Sequence, residues 1–371
     1  MSSLGLNLRF LFVGKEVEMK LSKTQIKKIL ENWNVGEVVS FKKAFKGVVN
    51  HNWIVNTTKG KYVLRGVAFF KKLSELNFEL RCLNYLKKRK FRYKIPVPLL
   101  TKDRMFLSKF QKNYFWVYEF IEGRDIKRFN RNELREVAKM MALYHDLIEK
   151  SKLDNGRGQG NVFCKNTVLG ELNKFKSGIL KKGKKDKKDR VFLNELLVLV
   201  PLLKSLNVGA YGKLRRYPLH RDINPENTLW KDGVLVGLID FETVSEINEP
   251  FVKDIVVMLQ YSCRDRKVPY KFDFGLFRYF LREYKRYRSL TSKEIEFIPD
   301  ILIAGAIEDF SYQYWMFLND PARAKLHRLK LYSKVAQWTN KNKKRIINEL
   351  ILNKQRGLFR TKIKILKLSG E

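Results

Sequence analysis

The sequence contains few of the residues that build disulfide frameworks, fibrous repeats or membrane spans. Its 371 residues include 3 cysteines, 9 prolines and 21 glycines. The cysteines are far apart and form neither a CxxC motif nor a Cys/His cluster, which argues against disulfides and zinc and favours a reducing, cytoplasmic location. No apolar run approaches the roughly 20 residues that a membrane-spanning helix needs. We therefore expect no transmembrane segment.

Apolar residues are, in contrast, plentiful enough for a sizeable core. They make up 44% of the chain, and aromatic residues account for 13%, which excludes a wholly disordered protein. The length allows two or three domains or one large two-lobed unit. Because Arg9 interrupts the apolar N-terminus and no cleavage site follows, we do not expect a signal peptide. The sequence leaves open whether Met1 or Met19 is the true start.

Strand-like and helix-like patterns divide the chain into unequal parts. A short helix is expected at 22–34 behind a serine cap, and a longer one over 71–90. Strands are expected near 38–46, 48–56, 61–67, 104–109 and 114–120. Helical patterns dominate after Gly123 and throughout 270–371, apart from a strand-rich island at 218–242. The predicted domains are an N-terminal extension with a helix at 1–35, a strand-rich lobe at 36–121 and a helical lobe at 122–371.

The segment with the clearest chemical content is residues 218–227, P-L-H-R-D-I-N-P-E-N. It leads into two extended stretches joined by a Lys-Asp-Gly turn, which predicts a hairpin. A hairpin brings its ends together, so Asn227 at its start and Asp240 at its end should be neighbours. Asp222 lies in the loop just before the hairpin. We therefore expect two carboxylates and one amide at one end of this hairpin.

These three side chains match the needs of phosphoryl transfer. Carboxylate and amide oxygens from Asp240 and Asn227 suit Mg²⁺, which takes its remaining ligands from water and substrate phosphates. The second carboxylate, Asp222, is placed to accept a hydroxyl proton as a nucleophile attacks. A positioned base, a metal clamp and cationic support are the parts that this reaction uses.

The same motifs carry a resemblance to known families. The segment resembles the catalytic loop of the protein-kinase fold, H-R-D-x-x-x-x-N followed by D-F-G. It departs from protein kinases because Asn224 replaces a basic residue, Glu242 replaces the glycine of D-F-G, and no A-P-E segment follows. It looks more like the aminoglycoside phosphotransferase superfamily, which includes homoserine and choline kinases. The resemblance implies an α+β, bilobal protein-kinase-like fold, with a small lobe of mostly antiparallel sheet plus one helix, a large helical lobe, and ATP between them.

The resemblance also implies further nucleotide contacts in the small lobe. Arg65, at the end of a strand, occupies the position of the family's phosphate-binding Lys or Arg, and Glu79 on the next helix fits its partner. The alternative for Glu79 is a solvated helix charge. The loop that contains Gly47, Asn50 and Asn52 would cover the phosphates, although a plain hairpin turn fits its sequence equally well.

Two more sets of residues follow from the resemblance. Backbone groups of Glu119 and Ile121, where a strand runs into a glycine turn, would bind adenine at a hinge between the lobes. Because these contacts are made by the main chain, the sequence does not distinguish ATP from GTP. His220 would orient the catalytic loop, and Asp254 would brace that loop from a helix.

The acceptor site would lie in the helical lobe. An acidic and aromatic set there could hold an ammonium group through charge and cation–π contacts. Its candidate members are Glu242, Glu308, Asp309 and Trp315. The alternative is that the aromatic residue belongs to the core and that Glu308 and Asp309 are helix-surface charges.

The excess of basic residues allows more than one explanation. There are 76 Lys and Arg against 38 Asp and Glu, a net charge of +38. Attraction to ATP, association with nucleic acid or ribosomes, and a lysine-rich proteome are all compatible with it. No nucleic-acid-binding motif is present, so we expect only non-specific binding.

Together these patterns predict an ATP-dependent kinase with Asp222 as base and Mg²⁺ as cofactor. The acceptor would be a hydroxyl of an amino alcohol, an amino acid such as homoserine, an aminoglycoside or a sugar. The alternative is a catalytically weak kinase-like binding module that associates with RNA or a ribosome through its basic surface. The oligomeric state cannot be read from the sequence.

Overall fold

A five-stranded antiparallel sheet organises the N-terminal part of the chain. The computed structural model describes residues 19–44, 51–67, 72–154, 163, 165–245 and 247–351. The strands are β1 (Val38–Lys43), β2 (His51–Thr57), β3 (Gly60–Gly66), β4 (Ser108–Phe110) and β5 (Asn113–Glu119). They lie in the order β1-β2-β3-β5-β4, and each neighbouring pair is antiparallel. The order puts β3, which ends with Arg65 and Gly66, in the middle of the sheet.

Helix α1 (Lys23–Leu30) packs against this sheet. Its N-terminus is closed by a capping box, in which Ser22 and Gln25 each bind the other's backbone N–H. The predicted serine cap is therefore confirmed. Buried Ile26 and Ile29 share a hydrophobic cluster with Trp53 of β2. The helix of the predicted N-terminal extension thus contributes to the core of the sheet, while the domain boundaries stay a prediction.

Helix α2 (Leu73–Lys88) follows β3 and confirms the predicted long helix. Its buried leucines belong to the main hydrophobic core. The segment that leads on to β4 differs from expectation, because the strand predicted at 104–109 begins only at Ser108. Thr101 and Met105 form a tight turn instead, with the Thr101 hydroxyl accepting from the Met105 amide. Arg104 has a φ of +58° in this turn, a value incompatible with a strand.

The described part of the remaining chain is mainly helical, as predicted, with two small sheets embedded in it, and the predicted helical residues 352–371 lie outside the described residues. Helices α3 to α7 are α3 (Arg131–Glu149), α4 (Lys165–Leu180), α5 (Lys187–Lys204), α6 (Val208–Gly212) and α7 (Val252–Ser262). Helices α8 to α12 are α8 (Phe274–Lys285), α9 (Ser292–Glu296), α10 (Ile298–Asn319), α11 (Leu326–Lys341) and α12 (Lys343–Ile351). Strands β6 (Tyr217–Pro218) and β9 (Asn248–Glu249) pair with each other, as do β7 (Thr228–Lys231) and β8 (Val234–Leu238).

Helix α10 lies at the centre of the helical lobe. All of its residues from 301 to 314 are buried, and it contacts α4, α5, α7 and α11. A helix that is buried on all sides is usually apolar all round, so the polar residues that α10 carries stand out. Among the residues that the structure describes, none of the helices has the length and hydropathy of a membrane span.

The chain crosses from the sheet to the helices at Gly123. This glycine has a φ of +152°, and a Cβ there would lie 3.1 Å from the side chains of Leu229 and Val236. The next residue, Arg124, exchanges two backbone hydrogen bonds with Trp230, each 2.9 Å long. The crossing segment is therefore attached to the β7–β8 hairpin, and both conformation and space require glycine at its turn.

Candidate active site

The β7–β8 hairpin brings the predicted metal ligands together. Asp232 and Gly233 at its tip have φ values of +50° and +77°, which is typical of the tight turns that join antiparallel strands. At the open end, the Ile239 amide donates to the Asn227 carbonyl over 2.9 Å. Because Asp240 follows Ile239 directly, the two predicted ligands, Asn227 and Asp240, lie side by side at the open end of the hairpin.

Asp222 is held by two asparagine side chains in the catalytic loop, residues 220–227. Its Oδ1 accepts from Asn224 Nδ2 over 2.9 Å, and its Oδ2 accepts from Asn227 Nδ2 over 2.8 Å. Burial and the nearby Asp240 carboxylate raise the pKa of Asp222 well above its usual range, although the two hydrogen bonds oppose this shift. A carboxylate with fixed orientation and increased proton affinity is suited to accept a hydroxyl proton.

Asn224 was noted in the sequence only as a departure from protein kinases, and its role in the loop was missed. Its Oδ1 accepts from the backbone amides of Glu226 and Asn227, at 2.8 and 3.1 Å. Its Nδ2 at the same time donates to Asp222. One side chain therefore shapes the loop and orients the carboxylate. The available signal was an asparagine two residues after the aspartate and directly before a proline.

Arg65 connects the sheet to the end of the hairpin. One guanidinium nitrogen, Nη2, lies 3.4 Å from Asp240 Oδ1 and 3.4 Å from Glu242 Oε2. Burial alone would lower the pKa of Arg65, but the charges of Glu79, Asp240 and Glu242 raise it above its ordinary value. Arg65 is thus a permanent cation beside the predicted metal ligands, where it can meet phosphate groups.

Glu79 and Glu242 both lie close to this cation. Glu79 on α2 is 1% exposed, so the structure contradicts its interpretation as a solvated charge. Glu242 begins a single 3₁₀ turn, Glu242–Ser245, and its side chain is 8% exposed. We had expected Glu242 to contact the acceptor, but its carboxylate is directed to Arg65. The sequence did not reveal this pairing because 177 positions separate the two residues.

Hydrogen bonds of His220, the first residue of the catalytic loop, and of Asp254, on α7, hold the start of this loop. His220 Nε2 lies 2.9 Å from the Ile239 carbonyl, and its Nδ1 accepts from the Asp222 amide over 3.3 Å. Burial lowers the pKa of His220, which favours the neutral ring that this pattern requires. Asp254 on α7 accepts from the Arg221 amide through Oδ1. Both contacts fit the predicted orienting and bracing roles.

The predicted adenine and phosphate-loop residues are only partly described. Glu119 ends β5 and Ile121 follows after Phe120, whose amide donates to the Lys61 carbonyl over 2.9 Å. Gly47 and Asn50 lie outside the described residues. Asn52 is in β2 opposite Arg65, with Oδ1 buried and no hydrogen-bond partner in the described part of the chain. The nucleotide contacts of these five residues stay predictions.

Of the predicted acceptor residues on α10, Glu308 and Asp309 are buried in the helical lobe and Trp315 is half-buried. Glu308 Oε2 lies 3.9 Å from Lys253 Nζ, and Asp309 accepts from Gln260 Nε2 over 2.7 Å. Trp315 stacks on Tyr312 with 5.9 Å between ring centroids. Glu308 and Asp309 are 1% and 0% exposed, so they are not helix-surface charges. Their contact with an acceptor remains a prediction.

The donor set at the hairpin fits a magnesium ion. Asn227 uses its Nδ2 to bind Asp222, which leaves its amide oxygen as the ligand atom, and the Asp240 side chain is 38% exposed. Beside nucleotides, Mg²⁺ typically binds one or two protein oxygens and takes its other ligands from water and phosphate. Within the described residues, no group of three or more His, Cys, Asp and Glu side chains could hold a metal by itself.

The fold and this site define the class of protein: a small-molecule phosphotransferase with a protein-kinase-like fold. Solved structures with this fold include a microcompartment-associated aminopropanol kinase, at a TM-score of 0.64 and 12% identity, with 88% of this chain and 98% of that chain covered. An amicoumacin kinase in complex with AMP-PNP and Ca²⁺ has a TM-score of 0.63 at 14% identity, with 90% and 96% covered. These identities show the fold alone, and they confirm the predicted bilobal α+β architecture.

The chain belongs to the phosphotransferase enzyme family, whose sequence profile matches residues 41–290. Homoserine kinases of Sinorhizobium medicae (strain WSM419) and Rhizobium meliloti (strain 1021) are 24% identical to it over 306 residues. These alignments cover 82% of this chain and 87% of each relative. The predicted family resemblance and enzyme class are therefore confirmed.

Proposed function

We propose that the protein transfers the γ-phosphate of ATP to a hydroxyl group of a small molecule, with Mg²⁺ as cofactor. The observation that carries this proposal is the convergence at one hairpin mouth of Asp222, Asn227 and Asp240 beside the Arg65 cation. A positioned carboxylate, a pair of oxygen ligands for a metal and a cation for the phosphates are the parts that phosphoryl transfer uses.

Each residue has a distinct task in this reaction. Asp222 orients the acceptor hydroxyl and takes its proton, while Asn224 and Asn227 keep both carboxylate oxygens in place. Asn227 and Asp240 hold the metal, which when bound neutralises charge on the transferring phosphate. Arg65 binds phosphate oxygens from the other side, oriented by the Glu79 and Glu242 carboxylates.

For the acceptor, we place homoserine first. The support is the set of homoserine kinases that align with 82% of the chain. Amino alcohols, aminoglycosides and sugars are the other candidates. Glu308, Asp309 and Trp315 are proposed to favour acceptors with an ammonium group, because the Glu308 charge and the stacked rings of Tyr312 and Trp315 attract cations. A cytoplasmic location is part of the same proposal and rests on the cysteine pattern.

The direct test is ADP release from Mg²⁺-ATP or Mg²⁺-GTP over a panel of acceptors. The panel contains homoserine, choline, ethanolamine, aminoglycosides and sugars. Asp222→Asn should bind nucleotide normally but reduce turnover by about 10²–10⁴-fold, the usual contribution of such a base. Asp232→Asn is the matched control, because it makes the same chemical change at the exposed hairpin tip, where asparagine tolerates a positive φ.

The outcomes separate the two candidate functions. Acceptor-dependent release that is lost in Asp222→Asn and retained in Asp232→Asn supports the kinase and names its substrate class. Equal turnover in both variants contradicts the role of Asp222. Nucleotide binding without release for any acceptor, together with RNA that remains bound at high salt, would favour the binding module.

A further inference from the structure

Behind the catalytic loop, a line of buried polar side chains links three helices. The Tyr284 hydroxyl on α8 lies 2.8 Å from His145 Nδ1 on α3. His145 Nε2 lies 3.0 Å from Asp254 Oδ2 on α7. Asp254 Oδ1 in turn accepts from the Arg221 amide, directly before Asp222. Tyr284, His145 and Asp254 are each 0% exposed, so water does not substitute for any of these partners.

The hydrogen-bond roles along this line follow from its two ends. Asp254 already accepts from the Arg221 amide, and a carboxylate accepts at its second oxygen as well, so His145 Nε2 carries the proton. Burial lowers the pKa of His145, which keeps the ring neutral and leaves Nδ1 as an acceptor. Burial also raises the pKa of Tyr284, which keeps its hydroxyl protonated as the donor to Nδ1.

Arg221 is the residue in this line whose conformation needs support. Its φ is +53°, in the left-handed region that a non-glycine residue occupies only at an energetic cost. Such a conformation persists when surrounding contacts hold it. The backbone amide of Arg221 donates a hydrogen bond to Asp254, and its guanidinium donates to the Thr243 carbonyl over 2.8 Å. These two hydrogen bonds hold both ends of the residue. The position of Asp222 depends on both.

The segment that follows α8 is bound to α3. Arg288, three residues beyond the end of α8, donates to Asp146 over 3.0 Å and to Glu149 over 2.8 Å. Asp146 is the residue after His145, so these salt bridges hold the C-terminal end of α8 against α3 close to the Tyr284–His145 contact. They therefore support the position of the Tyr284 hydroxyl beside the imidazole.

We propose that Tyr284 is a positioning residue for the catalytic loop. Its hydroxyl donates to Nδ1 and fixes the orientation of the neutral imidazole, so that Nε2–H donates to Asp254 and Asp254 holds the Arg221 amide. Without this hydroxyl, the buried Nδ1 loses its donor and the ring loses the contact that orients it, so the hydrogen bond from Nε2–H to Asp254 weakens. The loop that carries Asp222 would then lose a defined support. The kinetic part of this inference rests on the proposed function.

The first test is Tyr284→Phe, which removes one oxygen and keeps the ring. The variant should reduce kcat by about tenfold, as expected for the loss of a residue that orients another, and leave the Kd for Mg²⁺-ATP unchanged. The matched control is Tyr314→Phe, because the Tyr314 hydroxyl also makes a buried hydrogen bond to a carboxylate, at 2.6 Å from Asp189 Oδ1. The control should lose similar stability and keep kcat.

A double-mutant comparison tests whether Tyr284 acts through His145. In His145→Gln, the side-chain amide can donate to Asp254, and no imidazole ring is left for Tyr284 to orient. Tyr284→Phe should therefore have little further effect on kcat in the His145→Gln background. Equal slowing by Tyr284→Phe in both backgrounds would overturn the proposed route, as would a kcat for Tyr284→Phe equal to that of the wild type.

A spectroscopic test needs no activity and so separates this inference from the proposed function. The chain has 4 histidines, and ¹H–¹⁵N imidazole spectra, assigned with His145→Gln, report their ring N–H protons. The expected result is an Nε2–H proton at His145 that exchanges slowly with water in the wild type and faster in Tyr284→Phe. An unchanged chemical shift and exchange rate of this proton in Tyr284→Phe contradicts the inference, even if no acceptor is ever phosphorylated.

Discussion

At the scale of single residues, the site depends on how charges are shared between Arg65 and its carboxylates. Arg65 Nη2 is equally distant from Asp240 and Glu242, at 3.4 Å from each. Asp240 can bind a metal without leaving the buried Arg65 charge unpaired, because the Glu242 and Glu79 carboxylates remain close to it. The arrangement predicts that Asp240 can be replaced without unfolding the sheet.

Asp240→Ala should therefore abolish the magnesium dependence of nucleotide binding and leave the protein folded. Calorimetric titration of ADP with and without Mg²⁺ measures this directly. In the wild type we expect Mg²⁺ to increase the affinity, since a metal held by Asp240 would supply positive charge for the phosphates. The surface variant Asp232→Ala is the control. An affinity that still rises with Mg²⁺ in Asp240→Ala would exclude Asp240 as a ligand.

A second prediction at this scale concerns buried Asp309. Burial, and then the nearby Glu308 charge, raise the pKa of Asp309 to about 7, although Arg264 and hydrogen bonds oppose this. The native state thus binds a proton that the unfolded chain releases from about pH 4 upward. The stability that protonated Asp309 provides is present at acidic pH and is lost as the pH rises toward 7.

Asp309→Asn should remove the loss of stability at higher pH, because an amide stays neutral and can still accept a hydrogen bond from Gln260. We expect the variant to raise the free energy of unfolding at pH 8 by roughly 1–3 kcal/mol relative to wild type, with little change at pH 4. Urea unfolding at both pH values measures the difference. Asp103→Asn, at an exposed position, is the control. A variant with the same pH profile as the wild type would refute the prediction.

At the scale of elements, the contact between the crossing segment and the β7–β8 hairpin determines how the two lobes meet. Gly123 combines a φ of +152° with two side chains 3.1 Å from any added Cβ. The β8 strand also bonds to the loop after α2, with the Lys94 amide donating to Val236 and the Leu238 amide to Lys94, both over 2.9 Å. The hairpin that carries the predicted metal ligands is therefore hydrogen-bonded to two segments, the crossing segment and the loop after α2.

Gly123→Ala should destabilise the protein by roughly 1–3 kcal/mol, since alanine rarely adopts this backbone angle and its Cβ would push against the Leu229 and Val236 side chains. It should also weaken nucleotide binding, because the hinge would move away from the hairpin. Urea unfolding and ADP titration measure the two effects. Gly170→Ala is the matched control, because this helical glycine has no atom within 4 Å of an added Cβ and alanine favours helix. Equal stability of both variants would contradict the prediction.

At the scale of the whole molecule, the net charge of +38 is the dominant property. Such a surface attracts any polyanion, and counterion release makes the attraction strongly dependent on salt. The nucleotide site, in contrast, involves only a few charged side chains around Arg65 and Asp240. Binding of nucleic acid should therefore depend more strongly on ionic strength than binding of nucleotide.

We expect the Kd for a single-stranded RNA oligonucleotide to rise by a factor of roughly ten or more when the salt concentration is raised from about 50 to 200 mM. Fluorescence anisotropy measures it, and Asp240→Ala serves as control because it should retain RNA binding while losing Mg²⁺-dependent nucleotide binding. A Kd that hardly changes with salt would indicate a specific RNA site and favour the binding-module alternative.

The sequence by itself determined the parts of the protein that depend on short-range patterns. Residues a few positions apart, together with turn chemistry, predict three features: the serine cap of α1, the β7–β8 hairpin, and the neighbouring positions of Asn227 and Asp240. Strand ends were less well predicted, because a turn such as the one at Thr101 depends on local hydrogen bonds that hydrophobic spacing does not show.

Only the tertiary structure decided which distant side chains meet. Glu242 binds Arg65 across 177 positions, and Tyr284 binds His145 across 139. Glu308 and Asp309 are buried because α10 is surrounded by other helices, a fact that its own sequence does not contain. The physical reason is that burial and partner choice depend on how separate elements pack, whereas helices, turns and adjacent ligands depend on the chain's local geometry.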